Sequence, residues 1–158
     1  MRVTPVLLSL FGMAAISLAA QEKPAAANPP KYDAALAERL GADEYGMKSY
    51  VLVLLKTGPH ADAPKAERQK AFAGHMANIK RLADEGKLAV AGPFLKNDRN
   101  YEGIFIFNVR TVTEAEALLV TDPAVASGLL AFEAYGWYGT AALSETIAIH
   151  SRIQKKSP

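Results

Sequence analysis

The sequence predicts an α+β subunit built in the order strand, helix, strand, strand, helix, strand. Three observations predict it. Short runs rich in Val, Leu, Ile and Phe alternate with longer stretches of helical period. Glycine or proline marks the boundaries, as at Gly58-Pro59, Gly86, Gly92-Pro93 and Asp122-Pro123. The strands carry apolar residues on both faces, so the sheet is covered twice.

Residues 50–55 (Tyr-Val-Leu-Val-Leu-Leu) form the first strand, closed by Gly58-Pro59. Residues 64–85 form the first helix. Phe72, His75, Met76, Ile79, Leu82 and Ala83 fall at three- and four-residue steps and share its inner face. Gly86 suits the residue past the helix end, where a left-handed backbone is cheap only for glycine. Residues 88–94 are the second strand, 97–100 (Asn-Asp-Arg-Asn) a polar turn, and 104–109 the third strand, so the two strands pair as a hairpin. Thr113 and Glu116 make a Thr-x-x-Glu capping box that starts a second helix running to Val120. Residues 123–127 add a short turn ended by Gly128, and 129–138 are the fourth strand.

This is the split β-α-β arrangement termed ferredoxin-like, with two helices on one face of a four-stranded antiparallel sheet. Val51, Val53 and Leu55 point one way; Tyr50, Leu52 and Leu54 point the other. Two helices cover one face only, and each Å² of apolar surface left in water forfeits roughly 25 cal/mol. A second copy of the sheet, giving a symmetric homodimer, is one cover; the N-terminal leader or the C-terminal tail is the other.

The ends do not belong to this core. Arg2 followed by the apolar run from Val6 to Ala20, closed by small residues, has the layout of a secretory signal peptide over residues 1–20, cut after Ala19 or Ala20. Read as an anchor, the run falls short of the roughly 20 residues a spanning helix needs. The expected location is therefore periplasmic or secreted, with no stable membrane anchor after cleavage. Residues 21–47 form a leader: a Pro- and Ala-rich linker, then a short helix up to Gly41. The domain spans 48–143, and 144–158 is a tail with a short amphipathic helix. The chain has 18 Lys and Arg against 16 Asp and Glu and no cysteine. Such a balance lacks the basic excess of a nucleic-acid binder. Stability comes from packing and assembly rather than disulfides.

His75 and Asp122 are the acid/base candidates. An imidazole on the inner stripe is either a proton-transfer group or a packed residue satisfied by a carbonyl. Asp122 is either a functional carboxylate at a helix end or the N-cap before Pro123. The two roles combine if one oxygen caps while the other holds the imidazole. Gly92 and Pro93 let backbone approach a small organic ligand, or simply end a strand. Tyr101 and Trp137 line a pocket mouth, or belong to the core or a dimer interface. No metal site or cofactor is expected: the histidines are scattered, and no phosphate-binding glycine loop or nucleophile elbow is present.

His75 on the first helix, Glu85-Gly86-Lys87-Leu88, Ala91-Gly92-Pro93-Phe94, and Thr121-Asp122-Pro123 with Gly128 following are together similar to the YCII-related (YciI-like) family. The likeness covers residues 48–143. It implies a dimeric α/β barrel of ferredoxin-like subunits with an active site on His75 and Asp122. A relative is a dehydrochlorinase of a chlorinated hydroxyquinol, and muconolactone isomerases share the fold. The resemblance thus implies a lyase- or isomerase-type proton transfer on a small organic molecule. Relatives often carry an arginine shortly before the histidine; this chain departs from that pattern, and Arg68 or Lys70 would serve instead as the anchor of an anionic substrate. A non-catalytic ligand-binding or structural dimeric barrel is the alternative.

Overall fold

The structure is a computed structural model that describes residues 31–156. The expected signal peptide and the proline-rich part of the expected leader lie outside the described residues. The first element, α1 (Ala34–Leu40), is capped by Asp33, whose side chain accepts from the Leu36 amide at 3.0 Å, and is stopped by Gly41 at φ 68°.

The sheet is antiparallel throughout, in the order β2-β3-β1-β4. Its centre is β1 (Met47–Thr57), flanked by β3 (Tyr101–Phe107) and β4 (Leu130–Thr140), with β2 (Leu88–Pro93) at the β3 edge. The helices are α2 (Lys65–Asp84), α3 (Val112–Leu119) and the single turn α4 (Pro123–Ala126). The order is βαββαβ, as the periodicity predicts.

The two-sided sheet yields two cores. Val51, Val53, Leu55, Phe105 and Phe107 meet Leu82 of α2 and Ala115 and Leu119 of α3. On the opposite face Tyr50, Ala89 and Ile106 lie under Leu143. That residue belongs to a 3₁₀ turn (Ala141–Glu145) leading into α5 (Thr146–Ile153). Polar bonds tie this tail down. Tyr50 Oη donates to the Thr140 and Ala141 carbonyls, Lys48 Nζ reaches Ser144 Oγ and the Leu40 carbonyl, and Thr146 donates to the Ala89 carbonyl. The tail covers one end only: Leu52, Leu54 and Ile104 stay half-exposed, and Tyr135 and Trp137 are exposed. Among the described residues no helix is long and apolar enough to cross a membrane.

Among the boundaries that differ from those read off the sequence, three have a clear physical cause. β1 extends through polar Lys48, Ser49 and Lys56, because pairing with β4 carries the ladder past the apolar run. β3 starts at Tyr101 and ends at Phe107, since the Asn108 amide turns to the Lys87 carbonyl and its side chain to Gly86. The capping box is Thr111 with Glu114, not Thr113 with Glu116. Both pairs fit the motif, but the earlier start puts Val112 on the helical line with Ala115 and Leu119, against the core. The buried side of α2 is likewise the line Ala71, His75, Asn78, Leu82; Phe72, expected inside, is 59% exposed at its margin.

The two capping boxes are separable by mutation. Thr111→Ala should cost about 1 kcal/mol in urea unfolding, whereas Thr113→Ala, on an exposed helix position, should stay within about 0.5 kcal/mol.

Candidate active site

The site begins with a helix whose buried line carries polar residues. His75 is 6% exposed in the middle of α2. Its ring stacks on Phe105 of β3 at 5.8 Å and 22°, and the Phe72 ring flanks it at 5.5 Å. Its Nδ1 stands 2.7 Å from Asp122 Oδ2.

Asp122 is fully buried between α3 and α4, and both of its oxygens are engaged. Oδ1 accepts the Ala124 amide at 2.9 Å, the N-cap bond of α4 with Pro123 in the first turn. Oδ2 takes the imidazole and, at 3.5 Å, the Asn78 amide group. The capping and the imidazole-holding roles thus coincide in one carboxylate. Burial is the largest single influence on its pKa and pushes it up. The His75 hydrogen bond and charge, the Ala124 amide and Asn78 together outweigh burial and hold it below the ordinary carboxylate range. Asp122 is therefore ionised at neutral pH and only accepts. An acceptor-only carboxylate keeps a proton on Nδ1, so Nε2 is the ring nitrogen free to take up or release one. Nε2 has no partner among the described residues, yet no buried side-chain nitrogen or oxygen there lacks one. Nε2 therefore reaches accessible space.

Behind the pair lies a second layer that sequence reasoning missed. Asn78 Oδ1 accepts from Arg81 at 2.7 Å and from Thr121 Oγ1 at 3.3 Å; Arg81 also donates to Thr121 Oγ1 at 3.0 Å and pairs with Glu85 at 2.8 Å. The available signal was Asn78 itself, a polar residue three positions after His75 on an otherwise apolar line. Gly74 is the other omission. A Cβ there would stand 2.6 Å from Pro123 Cγ. Alanine ordinarily favours a helix interior over glycine by about 1 kcal/mol, but here it would push α4, and with it Asp122, away from His75.

The remaining sequence candidates separate. Pro93 pairs with Gly103 on the helix-facing side of the sheet, one step beyond the Ala91–Phe105 pair under His75, and Gly92 lies between these pairs. Tyr101 and Trp137 are on the other face. Tyr101 pairs with Lys56 across a bulge and lies tilted against Phe94 at 5.9 Å, in the neighbourhood of Lys56, Glu133 and Tyr135. Trp137 lies tilted against Tyr50 at 5.9 Å and folds over Gly139. Within the chain the sheet therefore divides these two aromatics from His75.

Two recesses adjoin the helices among the described residues. The more enclosed, about 300 Å³, is lined by His60, Asp62, Glu67 and Ser127, away from His75. The shallower, about 490 Å³ and mostly apolar, lies on α2 beside Arg68, Gln69, Phe72 and Ala73. Among the described residues no group of three or more His, Cys, Asp or Glu is placed to hold a metal ion.

Comparison with known proteins bears on this site. A model of the YCII-related domain matches residues 49–135, which include both His75 and Asp122. Among solved structures, the chain is similar to 5-chloro-2-hydroxyhydroquinone dehydrochlorinase from Burkholderia phenoliruptrix AC1100, in complex with 2,5-dihydroxybenzoquinone. The two are 24% identical over 56% of this chain and 92% of that chain, with a TM-score of 0.42. No curated protein matches the chain.

The carboxylate's lowered pKa sets a pH dependence. The folded value lies below the unfolded one of about 3.9, so the native state binds fewer protons in that window. The associated stability is present above about pH 4 and is lost as pH falls through the folded value. Asp122→Asn should cost about 1–3 kcal/mol at pH 7. It should also flatten the acid limb below pH 4 relative to the unmodified chain, read by urea unfolding at several pH values. Parallel limbs would show that Asp122 does not titrate as described.

Proposed function

The chain belongs to the YCII-related domain family, and on that premise we propose that it is a lyase- or isomerase-type enzyme in which His75 moves a proton on a small organic molecule. One observation carries the proposal: Asp122 fixes Nδ1 as the protonated nitrogen and leaves the Nε2 lone pair accessible beside an exposed aromatic ring. A packed histidine needs neither feature.

The chemistry follows from the atoms. Nε2 accepts a proton from a carbon acid, and the electron pair left behind forms a double bond. In an elimination, the neighbouring carbon releases its leaving group with the bonding pair. In an isomerisation, imidazolium returns the proton to a different carbon. Neither course needs an oxidant or reductant. Asp122 is a positioning residue: its charge stabilises the imidazolium, and its cap bond to Ala124 keeps it from following the ring. Phe105 beneath the ring and the burial of Asp122 keep bulk water from Nδ1.

Two further parts of the proposal concern the whole chain. The half-exposed apolar residues Leu52, Leu54 and Ile104, with Tyr135 and Trp137, support a homodimer closed through the open sheet face, forming a dimeric barrel. Arg2 and the apolar run to Ala20 support export to the periplasm or the medium.

His75→Asn tests the chemistry, because asparagine keeps an N–H donor for Asp122 but has no Nε2. The probes are halogenated hydroquinones, unsaturated lactones and 2-oxo acids, followed by NMR in deuterated water for exchange and turnover. The variant should unfold within about 1 kcal/mol of the parent and lose roughly 100-fold or more in rate. Equal rates would remove His75 from the mechanism, and binding without any exchange by the parent would favour a non-catalytic carrier. Light scattering on protein recovered from outside the cytoplasm should give twice the mass of a chain starting after Ala19 or Ala20. A single-chain mass at micromolar concentration would sink the dimer, and a chain still beginning at Met1 would sink cleavage.

A further inference from the structure

We infer that the recess on α2 lined by Arg68, Gln69, Phe72 and Ala73, whose Phe72 ring flanks His75, docks a small planar carboxylate, with Arg68 as its anchor and Phe72 as its platform. For the position of the reacting carbon, the inference rests on the proton-transfer reading of His75.

The side chain of His75 has a direction. Gly74 and Asn78 mark the flank of α2 that meets α4 and Asp122, and Nδ1 turns that way. Nε2, on the far side of the ring, turns toward the opposite flank, where Phe72 lies. Arg68, Phe72 and His75 are spaced by four and three residues and so form one line along the helix. At about 5.4 Å per turn, the line from Arg68 to His75 is some two turns, on the order of 10 Å. One aromatic ring bearing a carboxylate spans the gap once the arginine side chain reaches in.

The chemistry of the line selects the ligand. Phe72 is 59% exposed although its ring lies 5.5 Å from a buried imidazole. A flat ligand laid on it removes apolar surface from water on both partners. Arg68 forms no salt bridge among the described residues; the one hydrogen bond of its guanidinium there is from Nη1 to the Ala61 carbonyl at 3.4 Å, which leaves the fork able to take a carboxylate bidentately. No acidic residue lines the recess. Lys70, five residues before His75, falls on another side of the helix and does not line it. The structure therefore assigns the anion to Arg68 rather than Lys70.

Binding is testable without knowing the substrate. Benzoate, titrated into the full chain and followed by NMR, should shift the His75 Hε1 and Phe72 ring signals saturably, and uncharged benzamide should bind at least 10-fold more weakly. Arg68→Gln should weaken benzoate about 10-fold or more, which is the scale of one charge-assisted contact, and abolish its salt dependence. Phe72→Ala should weaken both probes, and Lys70→Gln neither. Equal binding of benzoate and benzamide, an Arg68→Gln variant that binds like the parent, or shifts confined to other residues would each overturn the assignment. The readout is independent of turnover. Benzoate docking that persists when His75→Asn leaves the exchange rate unchanged would overturn proton transfer and keep the site. Loss of rate in His75→Asn without Arg68-dependent binding would do the reverse.

Discussion

A carboxylate sealed from water is tolerable only if each oxygen is met by a donor, and Asp122 imposes that condition on most of the helical layer. One oxygen needs the first free amide of α4, so the chain must break after α3 and restart at Pro123. The other needs an imidazole N–H, so α2 must bring His75 within 2.7 Å. That approach needs a glycine at position 74, where Pro123 sits against the helix backbone. Leaving a buried charged group without one of its hydrogen-bond partners typically costs about 1–3 kcal/mol, a sizeable part of the roughly 5–15 kcal/mol that holds a domain together. The contact that orients the imidazole is therefore also one that the packing of α2 on α4 relies on.

The second layer extends this condition outward. Asn78, Thr121 and Arg81 satisfy one another and lead from the sealed carboxylate to the Arg81–Glu85 pair at the surface. Such a network fixes the rotation of α2 about its axis. Rotation in turn decides that Asn78 is buried, that Phe72 lies at the margin, and that Nε2 points away from Asp122.

The sheet is the other constraint, because it is apolar on both faces while the helices close only one. The tail closes one end of the second face with Leu143 and hydrogen bonds to Lys48, Tyr50 and Ala89. The other end carries Lys56 paired with Glu133, with Tyr135 donating to the same carboxylate. Site and sheet face are thus separate surfaces of one chain, and the aromatics Tyr101 and Trp137 belong to the second.

The sequence by itself determined the type and order of the elements, because strand alternation and helical period are local properties of a dozen residues. It also determined that His75 faces inward and that Asp122-Pro123 starts a helical turn, since both are set within one turn of chain. Tertiary structure decided what local pattern leaves degenerate. Thr111 and Thr113 each begin a Thr-x-x-Glu motif, and only packing of Val112 on the core separates them. Phe72 and Asn78 both border the apolar line of α2, and hydrophobicity favours burying the wrong one. Asn78 goes inside because a carboxylate 44 residues away needs a donor there. Tyr101 falls on the far face because of a bulge at Leu55/Lys56, a feature of pairing between strands rather than of either strand alone. Close approach and hydrogen-bond satisfaction join residues distant in sequence, and no period of three or two encodes them.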